Sequence, residues 1–422
     1  MTKPHHAAML HPPAVRALAP VLNIAMVTET YPPEVNGVAH TLARLVGELR
    51  GKGHRLGLVR PAQGGEIAGT YDAGSCTLLA RGLPIPGYPQ LRFGLPQKAL
   101  LRQYWMCERP DLVHIATPGP LGHAALEVAQ ALGLRVVSDF RTNFHAYARH
   151  YHIGWLQRPV MALMRKFHNR TLATFVPTQA LRSELAADGF ERVEAVGRGV
   201  DTEAFNPAHR SDALRATWGA GPADRVCIYV GRLAAEKNLD LLVSTWRRVE
   251  AAAPQSRLVL VGDGPLKASL MERLPGAFFA GSQKGLALAS HYASGDVFLF
   301  PSLSETFGNV TTEAMASGLA VVAFDHAAAG QFVTSGLHGR LVPPAQAGAF
   351  VESAVELAMG DPVWVKQLGS NARQRVLGMG WAHIATQMED HYRRVLNPGW
   401  PATTLPLPDA DAFSAFHSGY QM

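Results

Sequence analysis

The sequence predicts an α/β fold made of two doubly wound, Rossmann-like domains whose parallel sheets face a central crevice. Three observations lead to this prediction. The chain has 422 residues, more than the roughly 100–200 residues of one ordinary domain. Short apolar runs rich in β-branched residues alternate with amphipathic segments, which is the pattern of βαβ units. These runs form two series, and glycines and a proline punctuate the gap between them.

The first series predicts strands at residues 22–28, 55–60, 112–115, 135–139 and 173–176. A helix is predicted over residues 38–50, because apolar side chains recur there at helical spacing. The second series predicts strands at residues 226–231, 257–262, 277–281, 296–301 and 319–324.

The glycines at 197 and 199 and the proline at 207 place the domain boundary near residue 200. We therefore expect an N-terminal domain over residues 21–200 and a C-terminal domain over residues 201–380. Residues 381–396 predict a C-terminal helix that packs back toward the N-terminal domain. Residues 1–20 lack the apolar core of a signal peptide, so we expect a flexible leader, and the Pro-rich residues 397–422 predict a flexible tail.

Composition narrows the class of protein. The chain is 47% hydrophobic and 17% charged, which is globular, and no apolar run reaches the roughly 18–20 residues of a membrane-spanning helix. The three cysteines have no CxxC spacing, which argues against a disulfide framework and a cysteine zinc site. A reducing, cytoplasmic location is expected.

The net charge of +6 is unevenly distributed. Residues 1–200 hold 22 Lys and Arg against 13 Asp and Glu, a net charge of +9, whereas residues 201–422 hold 17 against 20, a net charge of −3. Residues 73–107 and 140–183 contain no acidic side chain but carry eleven Lys and Arg as well as several aromatic residues. Such tracts suit an anionic partner, and the alternative is an ordinary basic surface with buried aromatics.

Two cations, Arg232 and Lys237, follow the first predicted strand of the second series and precede a helix that should begin near Asn238. Cations beside a helix N-terminus suit a pyrophosphate, because backbone N–H groups and the helix dipole also favour anions there. The alternative is that both side chains are solvated surface groups.

Two carboxylates, Glu305 and Glu313, flank Gly308 after the predicted strand 296–301. An ionised carboxylate accepts hydrogen bonds, so each can bind two hydroxyls of a sugar or ribose ring, and the glycine lets backbone amides approach a phosphate closely. Taken alone, Glu313 could instead be an acid that stabilises the start of a helix.

His145 follows the fourth predicted strand, and its alternative interpretation is a packed or capping histidine. With His150 and His152 it could suggest a metal, but these spacings share no helix face and no acidic ligand lies nearby, so no metal is expected. Gly262 and Gly264 begin like a dinucleotide fingerprint, but Lys267 stands where the third glycine belongs, which disfavours NAD.

Together these motifs carry a family resemblance. Gly-Arg-Leu-x-x-Glu-Lys-Asn at residues 231–238 is followed by Gly-Asp-Gly-Pro-Leu at 262–266 and by Pro-Ser-x-x-Glu-x-x-Gly-x-x-x-x-Glu-Ala-Met-Ala-x-Gly at 301–318. This combination resembles the retaining glycosyltransferases of family 4, which have the GT-B fold, over about residues 22–396. A weaker likeness is to bacterial GDP-mannose-dependent α-mannosyltransferases and related enzymes of glycolipid synthesis.

The resemblance assigns roles to individual residues. It implies that Arg232 and Lys237 bind the donor diphosphate, that Glu305 holds the transferred sugar, and that Glu313 binds the ribose. His145 resembles the family histidine that reaches the donor sugar near the reacting carbon, so His145 and Glu305 are the expected catalytic residues. Further donor contacts are expected at Gly37, Gly262, Gly264, Phe307, Gly308, Asn309 and Val310.

Gly37 belongs to a pair of positions where the family usually has two adjacent glycines close to the donor phosphate. Here the first of them is Asn36. Asn tolerates the left-handed conformation better than other non-glycine residues, so we expect only the path of the loop to differ.

By resemblance, the expected activity is retaining transfer of a hexose, of mannose or glucose type, from a nucleotide sugar without metal or other cofactor. The basic N-terminal domain is expected to receive a lipid or glycolipid acceptor at an anionic membrane surface, with no nucleic-acid partner. The alternatives are a soluble or polysaccharide acceptor, a sugar-nucleotide epimerase of the same fold, and a non-catalytic nucleotide-sugar binder. The sequence leaves the donor base open.

Overall fold

The computed structural model describes residues 20–34, 36–72, 74–85, 88–141 and 157–399. Its first sheet has eight strands in the order β10-β9-β8-β7-β1-β2-β4-β3. Their bounds are β1 Asn23–Val27, β2 Arg55–Pro61, β3 Tyr71–Asp72, β4 Thr77–Ala80, β7 Leu112–Ile115, β8 Arg135–Asp139, β9 Thr174–Val176 and β10 Val193–Ala195.

All neighbouring strands of this sheet are parallel except β3, which pairs antiparallel with β4. A separate antiparallel pair joins β5, Gly82–Ile85, to β6, Tyr88–Gly94. The sequence did not predict these antiparallel pieces, because they are short and interrupted by glycine and proline.

The second sheet has six strands, all parallel, in the order β13-β12-β11-β14-β15-β16. Their bounds are β11 Val226–Val230, β12 Arg257–Val261, β13 Phe278–Gly281, β14 Val297–Phe300, β15 Ala320–Phe324 and β16 Gly339–Val342. Every residue of β11, β14 and β15 is buried, as expected for strands covered by helices on both faces.

Helices connect the strands of both sheets. The first sheet is accompanied by α-helices at Gly37–Gly51, Lys98–Glu108, Pro120–Ala131, Gln157–His168 and Gln179–Ala187. The remaining α-helices span Asp212–Thr217, Leu239–Ala252, Lys267–Arg273, Gly285–Ser294, Asn309–Ala316, Ala327–Phe332, Ala347–Met359, Pro362–Val376 and Trp381–Leu396. Short 3₁₀ helices lie at Pro207–His209 and Ala235–Lys237. None of the helices in the described ranges is long and apolar enough to cross a membrane.

The chain crosses between the two sheets twice, and the crossings lie side by side. The first follows β10, and the second leads into the helix Trp381–Leu396, whose buried face joins the core of the first sheet. The amide of Val200 in one crossing donates to the carbonyl of Met379 in the other at 3.0 Å. A Cβ at Gly199 would lie 2.7 Å from the Trp381 ring, so these backbones pack without a side chain between them.

Each sheet reverses its strand order once, between β7 and β1 in the first and between β11 and β14 in the second. In doubly wound sheets, ligands bind beyond the carboxyl ends of the strands at this reversal. The predicted fold class, two Rossmann-like units facing a crevice, is thus confirmed, and the site is expected where these two reversals meet.

Candidate functional site

The segments that follow β11 and β14 lie against each other, because these strands are neighbours in the second sheet. Asn238 joins the two segments: its side-chain amide donates to the carbonyl of Pro301 at 3.2 Å. Its backbone is left-handed, with φ of 55°, at the point where the helix Leu239–Ala252 begins. A second tie runs from the hydroxyl of Ser304 to the carbonyl of Glu236 at 2.8 Å. This pairing brings the predicted cations to the predicted carboxylate.

Lys237 and Glu305 form an ion pair across these segments, Nζ to Oε1. Their side chains are only 18% and 16% exposed, so the pair is largely shielded from water. The hydroxyl of Ser302 donates to the same Oε1 at 2.7 Å. Burial alone would raise the pKa of the Glu305 carboxyl, but the charge of Lys237 and these hydrogen bonds bring that pKa below its ordinary value. Glu305 is therefore ionised and held in one orientation.

Arg232 lies at the start of the same segment. Its guanidinium is 3.6 Å from the buried carboxylate of Glu236, and its side chain is 43% exposed. Arg232 and Lys237 thus flank the segment before the helix Leu239–Ala252, in the arrangement the sequence predicted.

The helix Asn309–Ala316 starts directly after the Glu305 loop. Its N-cap is Gly308, whose φ of 85° favours glycine, and a Cβ there would lie 3.3 Å from Cγ of Glu305. The first backbone amides of this helix, at Asn309 and Val310, carry its partial positive charge. The Phe307 ring is 1% exposed and packs in the core, so any donor contact of Phe307 would be through its backbone.

Glu313 lies in the second turn of this helix and is half-buried. The hydroxyl of Tyr292 donates to its Oε2 at 2.9 Å. Burial raises the pKa of the Glu313 carboxyl to about 7, although the Tyr292 hydrogen bond opposes that rise. Glu313 therefore titrates near neutral pH, unlike Glu305.

Gly262 and Gly264 allow close backbone contact. A Cβ at Gly262 would lie 1.9 Å from the carbonyl oxygen of Gly231, and one at Gly264 would lie 2.4 Å from that of Leu233. The two glycines thus let the loop after β12 press against the segment that carries Arg232. Their contact with a donor stays a prediction.

Gly37 starts the helix Gly37–Gly51 beyond the carboxyl end of β1, and a Cβ there would meet nothing within 4 Å. Asn36 does not use the left-handed conformation that asparagine tolerates: its φ is −152°, which is extended. Instead Asn36 caps the helix, its Oδ1 accepting from the amides of Val38 at 3.1 Å and Ala39 at 2.8 Å. His145 lies outside the described residues.

His326 was missed by the sequence reasoning. Its Nε2 is 2.9 Å from the carbonyl oxygen of Glu305, so the ring supports the loop that carries the carboxylate. The signal in the sequence was its position two residues after the predicted strand 319–324, which corresponds to β15 and neighbours β14.

A buried polar network at the end of β8 was also missed. Asp139 is 2% exposed and contacts Arg141, Nε to Oδ2, at 2.5 Å and His114 Nε2 at 3.0 Å. His114 Nδ1 is 2.6 Å from the hydroxyl of Tyr392 on the last helix. Burial opposes ionisation, but the charges of Arg141 and His114 lower the pKa of Asp139 to about 2. The network ties the C-terminal helix to the first sheet.

In the described parts of the basic tracts, residues 73–107 and 140–183, some side chains are buried and others are exposed. Tyr104, Trp105 and Phe167 are at most 8% exposed, so these three aromatics are buried, as in the alternative given for the tracts. Tyr104 and Trp105 lie on the buried face of the helix Lys98–Glu108, at helical spacing with Leu101. The helix Gln157–His168 does present an exposed cationic side, made of Arg158, Arg165 and Lys166 around Leu163, which is 51% exposed.

Within the ranges that the structure describes, no group of three or more His, Cys, Asp or Glu side chains is placed to hold a metal ion.

Two family models match the chain. The model of "Glycosyltransferase Family 4" matches residues 35–204, and that of "Glycosyl transferases group 1" matches residues 224–359. The two matches correspond to the first and second sheets.

Two named relatives match most of the chain. A GDP-mannose-dependent alpha-mannosyltransferase of Mycolicibacterium smegmatis is 34% identical over 386 residues, which are 89% of this chain and 98% of that protein. The alpha-monoglucosyldiacylglycerol synthase of Streptococcus pneumoniae is 25% identical over 354 residues, 79% of this chain and 78% of that protein.

Among solved structures, Anabaena HepE in complex with UDP and glucose superposes with a TM-score of 0.69 at 18% identity. The match covers 88% of this chain and 99% of that one. At this identity the likeness shows the fold.

Proposed function

The chain belongs to glycosyltransferase family 4, and from this membership we propose that it is a retaining hexosyltransferase with a membrane lipid or glycolipid as acceptor. The donor in this proposal is a nucleoside-diphosphate sugar that carries mannose or a glucose-type hexose. The observation that carries the proposal is the shielded Lys237–Glu305 pair beside the start of the helix Asn309–Ala316.

This arrangement suits a donor in which a neutral sugar is joined to an anionic diphosphate. Glu305 can accept hydrogen bonds from sugar hydroxyls, while Arg232, Lys237 and the helix amides stabilise charge on the phosphates. Glu313, one helical turn further, is available for the ribose hydroxyls. The sugar, the diphosphate and the ribose of the donor thus each have their own binding groups in this domain.

The chemistry that we propose is a displacement on one face of the sugar. The acceptor hydroxyl oxygen bonds to the anomeric carbon while the bond from that carbon to the phosphate oxygen breaks. The departing phosphate oxygen accepts the hydroxyl proton, so configuration is retained without an enzyme nucleophile. The side chains act by orienting the sugar and by stabilising the diphosphate as its charge grows.

Three considerations support the donor and the acceptor. The name of the M. smegmatis relative specifies GDP-mannose as its donor, so GDP-mannose is our first choice for this chain. The S. pneumoniae relative is named as the synthase of a glucosyl lipid, which favours a lipid acceptor here. The exposed cations of the helix Gln157–His168 around Leu163 suit attachment to anionic headgroups.

The test is a screen of GDP- and UDP-sugars for hydrolysis and for transfer to lipid extracts, followed by NMR of the product to read its anomeric configuration. We expect turnover with one donor, retained configuration, and a loss of at least about 100-fold in Glu305→Ala and Lys237→Ala without unfolding. Arg248→Ala is the matched control, because Arg248 is 63% exposed and its guanidinium pairs with Glu352 rather than with a residue of the site. Near-normal transfer by Glu305→Ala, or an inverted product, would refute the proposal.

Membrane attachment has its own measurement. Co-sedimentation with vesicles should require anionic lipid, and the triple change of Arg158, Arg165 and Lys166 to Gln should abolish it. Equal binding to neutral vesicles would contradict this part of the proposal.

A further inference from the structure

Arg198 is a buried cation at the first crossing between the sheets. It lies between Gly197 and Gly199 after β10, and it is 7% exposed. Together with Thr41, Asp139 and Arg141 it lines a pocket at the carboxyl end of the first sheet. The sequence indicated this segment only as a domain boundary.

The guanidinium of Arg198 makes no hydrogen bond and no ion pair within the part of the chain that the structure describes. Its contact there is with the Phe307 ring, whose centroid is 5.6 Å from Cζ. A guanidinium has five N–H donors, and burying a charged donor without acceptors is costly. Arg198 therefore has unused binding capacity.

Another buried arginine shows what this protein does with such a group when its role is structural. Arg215 is 1% exposed, and its guanidinium donates to the carbonyls of Ser294 at 2.8 Å, Gly221 at 3.0 Å and Asp224 at 2.5 Å. It also reaches the Asp296 carboxylate at 3.2 Å. Among the residues that the structure describes, Arg198 has no contact of this kind, so packing against them does not account for it.

The charges around Arg198 leave room for an anion. Burial and the charge of Arg141 lower the pKa of its guanidinium, whereas Asp139 and Glu305 oppose that change, and the net result is a pKa of about 9. Both carboxylates already have cations of their own, Arg141 for Asp139 and Lys237 for Glu305. Three cations thus share two carboxylates, and the excess charge is positive.

The position of Arg198 identifies the anion. Phe307, under the guanidinium, directly precedes Gly308 and the start of the helix Asn309–Ala316. This helix start and the Lys237–Glu305 pair are the groups to which the proposed function assigns the diphosphate and the sugar. We propose that Arg198 binds the diphosphate of the donor and stabilises its charge as it leaves, an inference that rests on the proposed function.

A guanidinium suits this task because its planar fork can donate two parallel hydrogen bonds to one phosphate. Arg232 and Lys237 approach the diphosphate from the second sheet, whereas Arg198 approaches it from the crossing. The donor would then be held by groups from both sides of the crevice.

The experiment measures the affinity of GDP, GMP and guanosine, or of the uridine series if the screen selects UDP, by calorimetry. The proteins are the wild type, Arg198→Gln, Arg198→Lys and the control Arg248→Gln. We expect Arg198→Gln to lower the affinity for the nucleoside diphosphate at least tenfold and the affinity for the nucleoside less than twofold. Arg198→Lys should recover part of the loss, and the control should match the wild type.

Three results would overturn the assignment of Arg198. In the first, the affinity of Arg198→Gln for the nucleoside diphosphate stays within twofold of that of the wild type. In the second, the affinities for the diphosphate and for the nucleoside fall equally, as expected if Arg198 has only a structural role. Alternatively, only the acceptor KM could rise. If Arg198→Gln does not fold, the same ratio is read from Arg198→Lys. A wild-type protein that binds no nucleotide and transfers no sugar would instead refute the proposed function, and the Arg198 assignment with it.

Discussion

The pH dependence of donor binding is the sharpest test of the role predicted for Glu313. A carboxylate that accepts hydrogen bonds from ribose must be ionised, and burial raises the pKa of Glu313 to about 7. The carboxyl is then about nine-tenths ionised at pH 8 and about one-tenth ionised at pH 6. Donor affinity should fall about tenfold between these pH values, which is about 1.4 kcal/mol.

The ligand for this measurement is an intact nucleotide sugar, since its diphosphate keeps a constant charge from pH 6 to pH 8, unlike the terminal phosphate of a free nucleotide. Dissociation constants are measured by calorimetry at half-unit intervals. Glu313→Gln should bind weakly and independently of pH. Tyr292→Phe removes the hydrogen bond that opposes the rise in pKa, so its midpoint should lie at higher pH than that of the wild type.

A flat affinity between pH 6 and pH 8 in the wild type would refute this reasoning, as would an unchanged slope in Glu313→Gln. The ligand-free protein offers an independent check of sign. Glu313 binds its proton more tightly when folded, so its contribution to stability is complete below the unfolded pKa of about 4.5 and is lost as the pH rises through about 7.

Three further predictions concern stability. The first is a double-mutant cycle of Lys237→Met and Glu305→Gln, measured by urea unfolding at pH 8. We expect a coupling energy of about 2 kcal/mol, which is half of the about 4 kcal/mol of Coulomb energy for a pair near a protein surface. A coupling energy below about 0.5 kcal/mol would contradict the interpretation of this pair as shielded from water. In the second, Tyr392→Phe should lower the free energy of unfolding by about 1–2 kcal/mol, because it leaves the buried Nδ1 of His114 without its hydrogen-bond partner. An unchanged unfolding midpoint would show that water replaces the Tyr392 hydroxyl. In the third, Gly262→Ala should lower the free energy of unfolding by about 3 kcal/mol or more, since the new Cβ would lie 1.9 Å from the carbonyl oxygen of Gly231. A thermal midpoint equal to that of the wild type would mean that the loop after β12 moves away without cost.

The sequence predicts the parallel strands well, because a buried strand is a continuous apolar run bounded by turn residues. The strands at 112–115 and 135–139 agree with the structure at both ends. The neighbourhood of Lys237 and Glu305 was also predictable, since each follows a strand and doubly wound sheets gather such loops at one edge.

What the sequence did not predict depends on contacts between distant parts of the chain. His114 and Tyr392 are 278 positions apart, and nothing local to either indicates that they meet. That Arg198 has no hydrogen-bond or ion-pair partner among the described residues is likewise a property of its surroundings and not of its neighbours in the sequence. The burial of Tyr104 and Trp105 was different, because their helical spacing with Leu101 indicated it and the charge of the tract drew attention away.

The paired crossings have a consequence for how the crevice can open. Two strands of chain, hydrogen-bonded to each other at Val200 and Met379, are the covalent links between the sheets. Two adjacent, hydrogen-bonded links resist sliding and separation of the sheets, but they allow rotation about the line where the links meet, which then acts as a hinge. Arg198 lies two residues from Val200 and so close to this hinge, where rotation displaces atoms least. Its distance from Phe307 would therefore change little while the outer edges of the crevice move apart.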